Sequence, residues 1–305
     1  MNKTILITGG SGLIGKALTR ILLQKGFTVH HLSRDPQDHG NPKLKIFKWD
    51  VLKKEIDEDC LQGVESIIHL AGEGIVDKRW TAKRKEEIIK SRTNSIAMLY
   101  NLISKTTNHK IQSVISSSAI GYYGDRENQL LNENSKSGEG FLPISCIAWE
   151  KAVDEGLKLN LRVVKLRTGI VLSAEGGALP EIAKLIKKGL GSPLGSGNQW
   201  MSWVHIQDAV NMYVFALENE NTAGVYNMTS PQPVTNTEMT STLAAIFDKK
   251  VWLPNVPAIG LKLMMGEMSA VVLDSSRVSS EKIINKGFQF KFPTLENALK
   301  EIYLN

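Results

Sequence analysis

The sequence predicts an α/β protein: a doubly wound parallel sheet with a smaller C-terminal α/β lobe. Three observations predict it. Short apolar runs rich in β-branched residues alternate with amphipathic stretches as far as Leu172, and strands alternating with helices build a parallel sheet covered on both faces. The first run ends in a glycine cluster that leads straight into a helical pattern. Beyond Leu172, glycine and proline clusters cut the chain into shorter elements.

The elements follow in order. "KTILIT" reads as a buried parallel strand, since it is apolar and bounded by glycines. "LIGKALTRILLQKG" has helical spacing at Ile14, Leu18, Ile21 and Leu22, and Gly26 stops it. "FTVHHLSR", "KLKIFKWD", "VESIIHLAG", "IQSVISSSA" and "LRVVKLRTGIVL" are strands two to six. Helices fit between most of them, notably over residues 82–104 and 145–158. Then "AEGGALP", "GLGSPLGSGNQ", "TSPQPVTN" and "LPNVPAIG" separate shorter pieces. "WVHIQDAVNMYVFALE" and "GVYNM" read as a helix and a strand that return to the main sheet. The expected division is a Rossmann-type domain over residues 1–172, rejoined by 200–228, and a smaller lobe from 173–199 and 229–305.

Composition excludes several classes. The 305 residues are 42% hydrophobic and 22% charged, enough to bury a full core. The net charge of +6 is scattered, and Lys83-Arg84-Lys85 is answered at once by Glu86-Glu87. No basic stripe is interleaved with aromatics, so no nucleic-acid partner is expected. Cys60 and Cys146 make no disulfide framework and have no metal spacing, so no metal is expected. The apolar start is too short for a signal peptide and no stretch is long enough to span a bilayer. The expectation is a cytoplasmic protein with no membrane partner.

The glycine cluster carries the first functional signal. Gly9-x-x-Gly12-x-x-Gly15 lies between a strand and a helix, with a second strand ending about 20 residues on. In that context glycines allow a tight turn, close approach of a pyrophosphate, and close helix–strand packing. The loop and first turn, Gly9, Ser11, Gly12, Leu13, Ile14 and Gly15, are the candidate cradle, with the helix N-terminus turned to the phosphates. The second strand ends in Ser33 and Arg34, where an NAD site usually offers a carboxylate. A hydroxyl and a guanidinium suit a 2′-phosphate, which predicts NADP(H). Asp35 comes one residue late and is expected to point away. Asp50 ends the third strand, within reach of an adenine amine. Leu70, Ala71 and Gly72 end the fourth and let ribose and pyrophosphate lie against backbone. On the helix after it, Arg92 falls on the apolar stripe of Ile88, Ile89, Ile96, Leu99 and Ile103. It either meets a cofactor phosphate or runs out to solvent. Glu87, a turn earlier, either meets a ribose hydroxyl or is solvated.

Together "TGGSGLIG", "HLAG", "SSSAIGYYG", "RTGIVL" and "WVHIQD" resemble the extended short-chain dehydrogenase/reductase superfamily, over residues 1 to about 230. Arg79-Trp80, Ser91-Arg92, "AWE", "GSGNQW" and the tail "GFQFKFPTLENALKEI" resemble more narrowly its atypical subgroup called epimerase family proteins, over nearly the whole chain. The resemblance implies NADP(H), an unidentified small-molecule substrate and, by analogy, a homodimer. It also implies a catalytic serine followed by Tyr-x-x-x-Lys, in which the lysine helps a tyrosine act as acid and base. Ser118 matches the serine, but Cys146 and Glu150 stand where the tyrosine and lysine belong, and no tyrosine is followed four residues on by lysine. Candidate substitutes are Tyr122, Tyr123, Cys146, Glu150 and His205. Trp200 and Trp203, amid glycines, read either as a loop covering the substrate or as packing between lobes. "LKLMMGEM" reads either as core or as the lining of an adaptable pocket. Two functions fit: an NADP(H)-dependent oxidoreductase or epimerase with a non-standard acid/base, or a catalytically silent NADP(H)-binding sensor.

Overall fold

The computed structural model describes residues 3–37 and 40–304. β1 (Thr4–Thr8) alternates its side chains, so that Ile5 and Ile7 face one layer and Leu6 the other. α1 (Leu13–Gln24) carries the chain to β2 (Thr28–Ser33), then β3 (Leu44–Asp50) and the short β4 (Glu55–Ile56). β5 (Val64–His69), α2 (Ala82–Lys105), β6 (Ser113–Ala119), β7 (Leu130–Leu131), α3 (Phe141–Asp154) and β8 (Arg162–Thr168) follow. Then come β9 (Ile170–Leu172), α4 (Leu179–Lys187), β10 (Trp200–Met201), β11 (Trp203–His205), α5 (Ile206–Glu218) and β12 (Gly224–Met228). The chain ends through β13 (Val234–Thr235), α6 (Asn236–Ile246), α7 (Ala258–Met265), α8 (Ala270–Leu273), β14 (Arg277–Val278), α9 (Glu281–Asn285) and α10 (Leu295–Leu304).

The main sheet has eight strands in the order β12-β8-β6-β5-β1-β2-β3-β4, and all are parallel except β4. From β1 the chain moves outward through β2 and β3, then crosses back to lay β5 on the other side of β1. That reversal leaves a crevice at the carboxyl ends of β1 and β5, the usual ligand position in open α/β sheets. Leu18 and Leu22 of α1 and Val210 and Tyr213 of α5 bury against one face. Ile96 and Leu99 of α2 and Trp149 and Val153 of α3 bury against the other. Each such side chain stabilises the fold by about 1.5–3 kcal/mol relative to exposure. A separate core, with Leu179, Ile186, Met239, Leu243 and Leu299, builds the C-terminal lobe.

The doubly wound prediction holds, and β12 pairs parallel with β8. Three elements differ in detail. The sixth strand breaks at Gly169, where a Cβ would stand 2.5 Å from the Ser202 carbonyl oxygen. β9 therefore leaves the sheet and pairs with β11. "WVH" is accordingly strand, and α5 begins only after His205, whose Nδ1 accepts from the Gln207 amide at 3.2 Å. The helix expected at 145–158 is α3, starting earlier behind Gly140 (φ 95°).

Candidate dinucleotide site

The three glycines of the loop are each required for a different reason. Gly9 has φ +70°, and a Cβ there would meet the Leu70–Ala71 backbone at 2.9–3.0 Å. A Cβ on Gly15 would lie 2.3 Å from the Gly9 carbonyl oxygen, so that glycine lets α1 close onto the loop. Gly12 is extended (φ −76°, ψ 174°), and a Cβ there would touch protein only at the Gly9 oxygen, 3.3 Å away. The space above Gly12 is thus left for something other than protein. Gly12 also caps α1 without a side-chain hydrogen bond, and the first turn holds no acid. α2, α5 and α6 are capped by side chains, whereas α3, α4 and α7, like α1, are not, and α1 alone of these begins at the glycine loop at the carboxyl end of β1. The free amides and positive dipole end of α1, around Ser11, Leu13 and Ile14, fit an anionic pyrophosphate.

At the end of β2, Ser33 is bound within its own turn to Asp35, and Asp35 Oδ1 accepts from Gln37 Nε2 at 3.1 Å. Arg34 is exposed and no described residue hydrogen-bonds its guanidinium. Asp50 accepts the Leu52 and Lys53 amides on one oxygen, at 2.9 and 3.1 Å, which closes the turn after β3.

The end of β5 is fixed from behind. Thr8 Oγ1 accepts the Leu70 and Ala71 amides, both at 3.1 Å, and lies 2.9 Å from His69 Nδ1. With both hydroxyl lone pairs used, Thr8 donates to Nδ1, so His69 carries its proton on Nε2, towards Ser95 Oγ at 3.3 Å. His69 is fully buried, and burial pushes its pKa down to about 4, so it is neutral. Gly72 packs on Arg92, because a Cβ there would meet the Arg92 side chain at 3.1 Å. Arg92 lies over the Trp149 ring at 5.0 Å and donates to the Ile88 and Glu73 carbonyl oxygens at 2.9 and 3.0 Å. No carboxylate pairs with it among the described residues, and Nε and one Nη2 hydrogen keep no protein acceptor. Glu87 is half-exposed and shares Arg84 with Glu73.

The region expected to hold the catalytic pair contains a buried ion network instead. Glu150 accepts from Ser118 Oγ at 2.7 Å and from Arg167 Nε and Nη2 at 2.7 and 2.9 Å. Arg167 Nη1 reaches Tyr123 Oη at 3.1 Å, and Tyr123 donates to Asn227 Oδ1 at 2.7 Å. Ser118, Tyr123, Glu150 and Arg167 are all buried. Burial pushes the Tyr123 hydroxyl up to about 12 even beside Arg167. Burial, then the Glu150 charge, pushes the Cys146 thiol up to about 12, and its Sγ lies 3.7 Å from the Ala119 oxygen. His205 has both ring nitrogens engaged, one by the Gln207 amide and one by Glu301 at 2.8 Å. Tyr122 differs from these: it is half-buried, and its ring lies 3.4 Å from the Arg167 guanidinium carbon.

Sequence reasoning missed Arg167, although a signal was present. Lys165 and Arg167 share one face of β8, while Glu150 and Asp154 share one face of α3, and Lys165 Nζ meets Asp154 at 2.7 Å. Two other readings divide. Trp203 is fully buried in the lobe core, in line with the packing alternative. Of "LKLMMGEM", Leu261 is buried but Leu263 and Met264 are exposed, so the core reading holds only for its inner side. Trp200 lies over Arg277 at 4.5 Å and donates to Asn128 at 2.8 Å.

A doubly wound sheet with an uncapped glycine loop at its switch point defines a nucleotide-binding protein of the Rossmann class. The missing Tyr-x-x-x-Lys sets it among the atypical extended short-chain dehydrogenases/reductases. The chain belongs to the NAD-dependent epimerase/dehydratase family, whose sequence model matches residues 5–229, and a domain of unknown function, DUF1731, matches residues 256–302. It is 35% identical over 302 residues to the chloroplastic epimerase family protein SDR39U1 homolog of Arabidopsis thaliana, covering 98% of this chain and 86% of that protein. It is 34% identical to epimerase family protein YfhF of Bacillus subtilis, over 98% of this chain and 97% of that one. Among solved structures, human epimerase family protein SDR39U1 with NADPH superposes with TM-score 0.85 at 29% identity, over 99% of both chains. The Bacillus cereus UDP-glucuronic acid 4-epimerase shares the fold, with TM-score 0.78 at 19% identity, over 98% of both chains.

Proposed function

We propose that this protein binds NADP(H) and acts on a small molecule as an oxidoreductase or epimerase, with Tyr122 in place of the usual acid/base. The uncapped N-terminus of α1 at the switch point, with open space above Gly12, carries the cofactor reading. Arg34, exposed and without a described partner, favours a 2′-phosphate over a bare hydroxyl. The NADPH named with the human relative agrees with that choice. Arg92, with two N–H groups unused, supplies a second cation beside Gly72. When bound, the cofactor supplies or accepts hydride at its nicotinamide ring.

The chain's part is to manage a proton. Ser118, Tyr123, Cys146, Glu150 and His205 are each buried and committed to protein partners. Of the candidates Tyr122 alone is only half-buried. Glu150 fixes Arg167 against it, so a guanidinium, itself paired with that carboxylate, stands beside the ring where the family has a lysine. Loss of Tyr-x-x-x-Lys favours the second reading, a silent NADP(H) sensor.

The test has two stages. Calorimetry at fixed ionic strength should show NADPH binding more tightly than NADH; equal affinities overturn the NADP(H) reading. NADPH deuterated at C4 is then incubated with a panel of small aldehydes and ketones. Transfer of deuterium that Tyr122→Phe abolishes, with NADPH affinity unchanged, supports the enzyme. Tight binding with no transfer to any compound leaves the sensor.

A further inference from the structure

We propose that the outer face of the C-terminal lobe docks on an anionic lipid bilayer, without inserting a span. Among the described residues, four of the five most exposed large apolar side chains fall within one short stretch: Trp252 (70%), Ile259 (74%), Leu263 (76%) and Met264 (73%). Scattered apolar residues on a surface need no explanation, but a cluster marks an interaction site. Ile259 and Leu263 are four apart on α7 and share its outer face, while Leu261 turns inward and is buried. Leu190, also exposed, adjoins this stretch, because Trp252 Nε1 donates to the Gly189 carbonyl oxygen at 3.2 Å.

The face is held rigidly. Val256 N donates to the Pro193 oxygen at 2.8 Å, Gly195 N to the Val256 oxygen at 2.9 Å, and Ser192 Oγ to the Pro254 oxygen at 2.6 Å. These bonds join two segments of like chemistry. Neither residues 182–207 nor residues 249–266 contain an aspartate or glutamate. Between them they carry Lys184, Lys187, Lys188, Lys249, Lys250 and Lys262, all exposed. The exposed acids at the edges of these segments are Glu181, Asp248 and Glu267, the last of them paired with Lys85.

Charge and apolarity together select the occupant. An exposed tryptophan and aliphatic side chains flanked by lysines match a headgroup layer, where the apolar groups enter and the ammonium groups meet phosphate. A second copy of the chain would set the same lysines against one another across a two-fold axis, which disfavours self-association here. Among the described residues no helix is long and apolar enough to cross a membrane, and a peripheral surface needs none.

The test uses the full chain and vesicles of phosphatidylcholine, alone or mixed with phosphatidylglycerol. The protein should sediment with the mixed vesicles and not with phosphatidylcholine alone, less so at high salt. A blue shift of tryptophan emission should accompany binding and be absent from Trp252→Phe. Lys249→Glu with Lys250→Glu, and separately Ile259→Ser with Leu263→Ser, should each weaken partitioning about tenfold or more. Both variants should keep the parent's melting temperature and NADPH affinity. No partitioning into mixed vesicles, or equal partitioning of the variants, overturns the proposal. So does a concentration-dependent dimer that these substitutions disrupt, which would make the face self-associating. Equal binding to soluble polyglutamate would reduce it to charge attraction and overturn it as well.

Discussion

Alanine at Gly12 and at Gly15 should separate the ligand from the fold. At Gly12 the backbone is extended, which any residue adopts, and the new Cβ meets only the Gly9 oxygen at 3.3 Å. The cost to folding is a weaker helix cap, roughly 0.5–1 kcal/mol. At Gly15 the Cβ would sit 2.3 Å from the Gly9 oxygen and 2.7 Å from Gly10 Cα, and backbone cannot rotate away. Overpacking of that kind costs about 3 kcal/mol, and the helix preference of alanine offsets up to about 1. The net loss of about 2 kcal/mol lowers the melting temperature by roughly 3 °C for a chain of 305 residues, and Gly12→Ala lowers it by about 1 °C. NADPH at a hundredfold excess over its Kd adds about 2.7 kcal/mol to a protein that binds it. Thermal melts with and without NADPH read both effects. The parent and Gly15→Ala should rise with NADPH, while Gly12→Ala should not. A full rise in Gly12→Ala would mean the space above Gly12 is not where the pyrophosphate lies. A Gly15→Ala protein as stable as the parent would refute the packing argument.

Four further outcomes are expected. Arg34→Ala should weaken NADPH about 12- to 140-fold, the equivalent of 1.5–3 kcal/mol for a charge-assisted bond, and leave NADH unchanged by calorimetry. Burial holds both Cys60 and Cys146 up at about 12, so iodoacetamide at pH 8 should label neither thiol in the folded protein and both in urea; rapid native labelling contradicts this. His69 is held at about 4, below its ordinary 6.5, so its contribution is complete above pH 6.5 and is lost as pH falls towards 4. Urea unfolding should show about 2 kcal/mol less stability at pH 5 than at pH 7.5, a difference that His69→Asn should shrink. Cys146→Tyr with Glu150→Lys should not create a working pair, because the new lysine would face Arg167 and Lys165; a loss of about 3–5 kcal/mol is expected, and a stable, active double variant would refute it.

Most of the sheet was legible because its signals are local. The β-branched runs, the glycine loop and the stripe of α2 each fall within one element, and periodicity reports local burial. The strand break at Gly169 was not legible. It depends on a close approach to Ser202, more than thirty residues away, and the apolar residues on both sides of Gly169 read as one strand. The exposed face of α7 was misjudged for a related reason. Methionine and leucine in sequence say only that apolar surface exists, not whether another element covers it.

The site divides along the same line. The loop glycines and Arg34 are recognisable because a dinucleotide site is built from backbone and one strand end. The altered centre is not, because its meaning lies in a pairing across elements. Read alone, Glu150 is a lysine replaced by its opposite charge, and the chemistry looks lost. Arg167, read alone, is an oddity inside an apolar strand. Together they are net neutral, yet they leave a guanidinium in the centre. A carboxylate buried on α3 requires a cation, β8 supplies one from below, and its guanidinium comes to rest against Tyr122. On the proposed reading, the cation of the centre sits on the strand rather than the helix, and the phenol beside it is Tyr122, after β6, rather than one on α3. On that reading, a chemistry that depended on the old tyrosine position should fail, while one served from Tyr122 would find a guanidinium, itself held by Glu150, already against its ring.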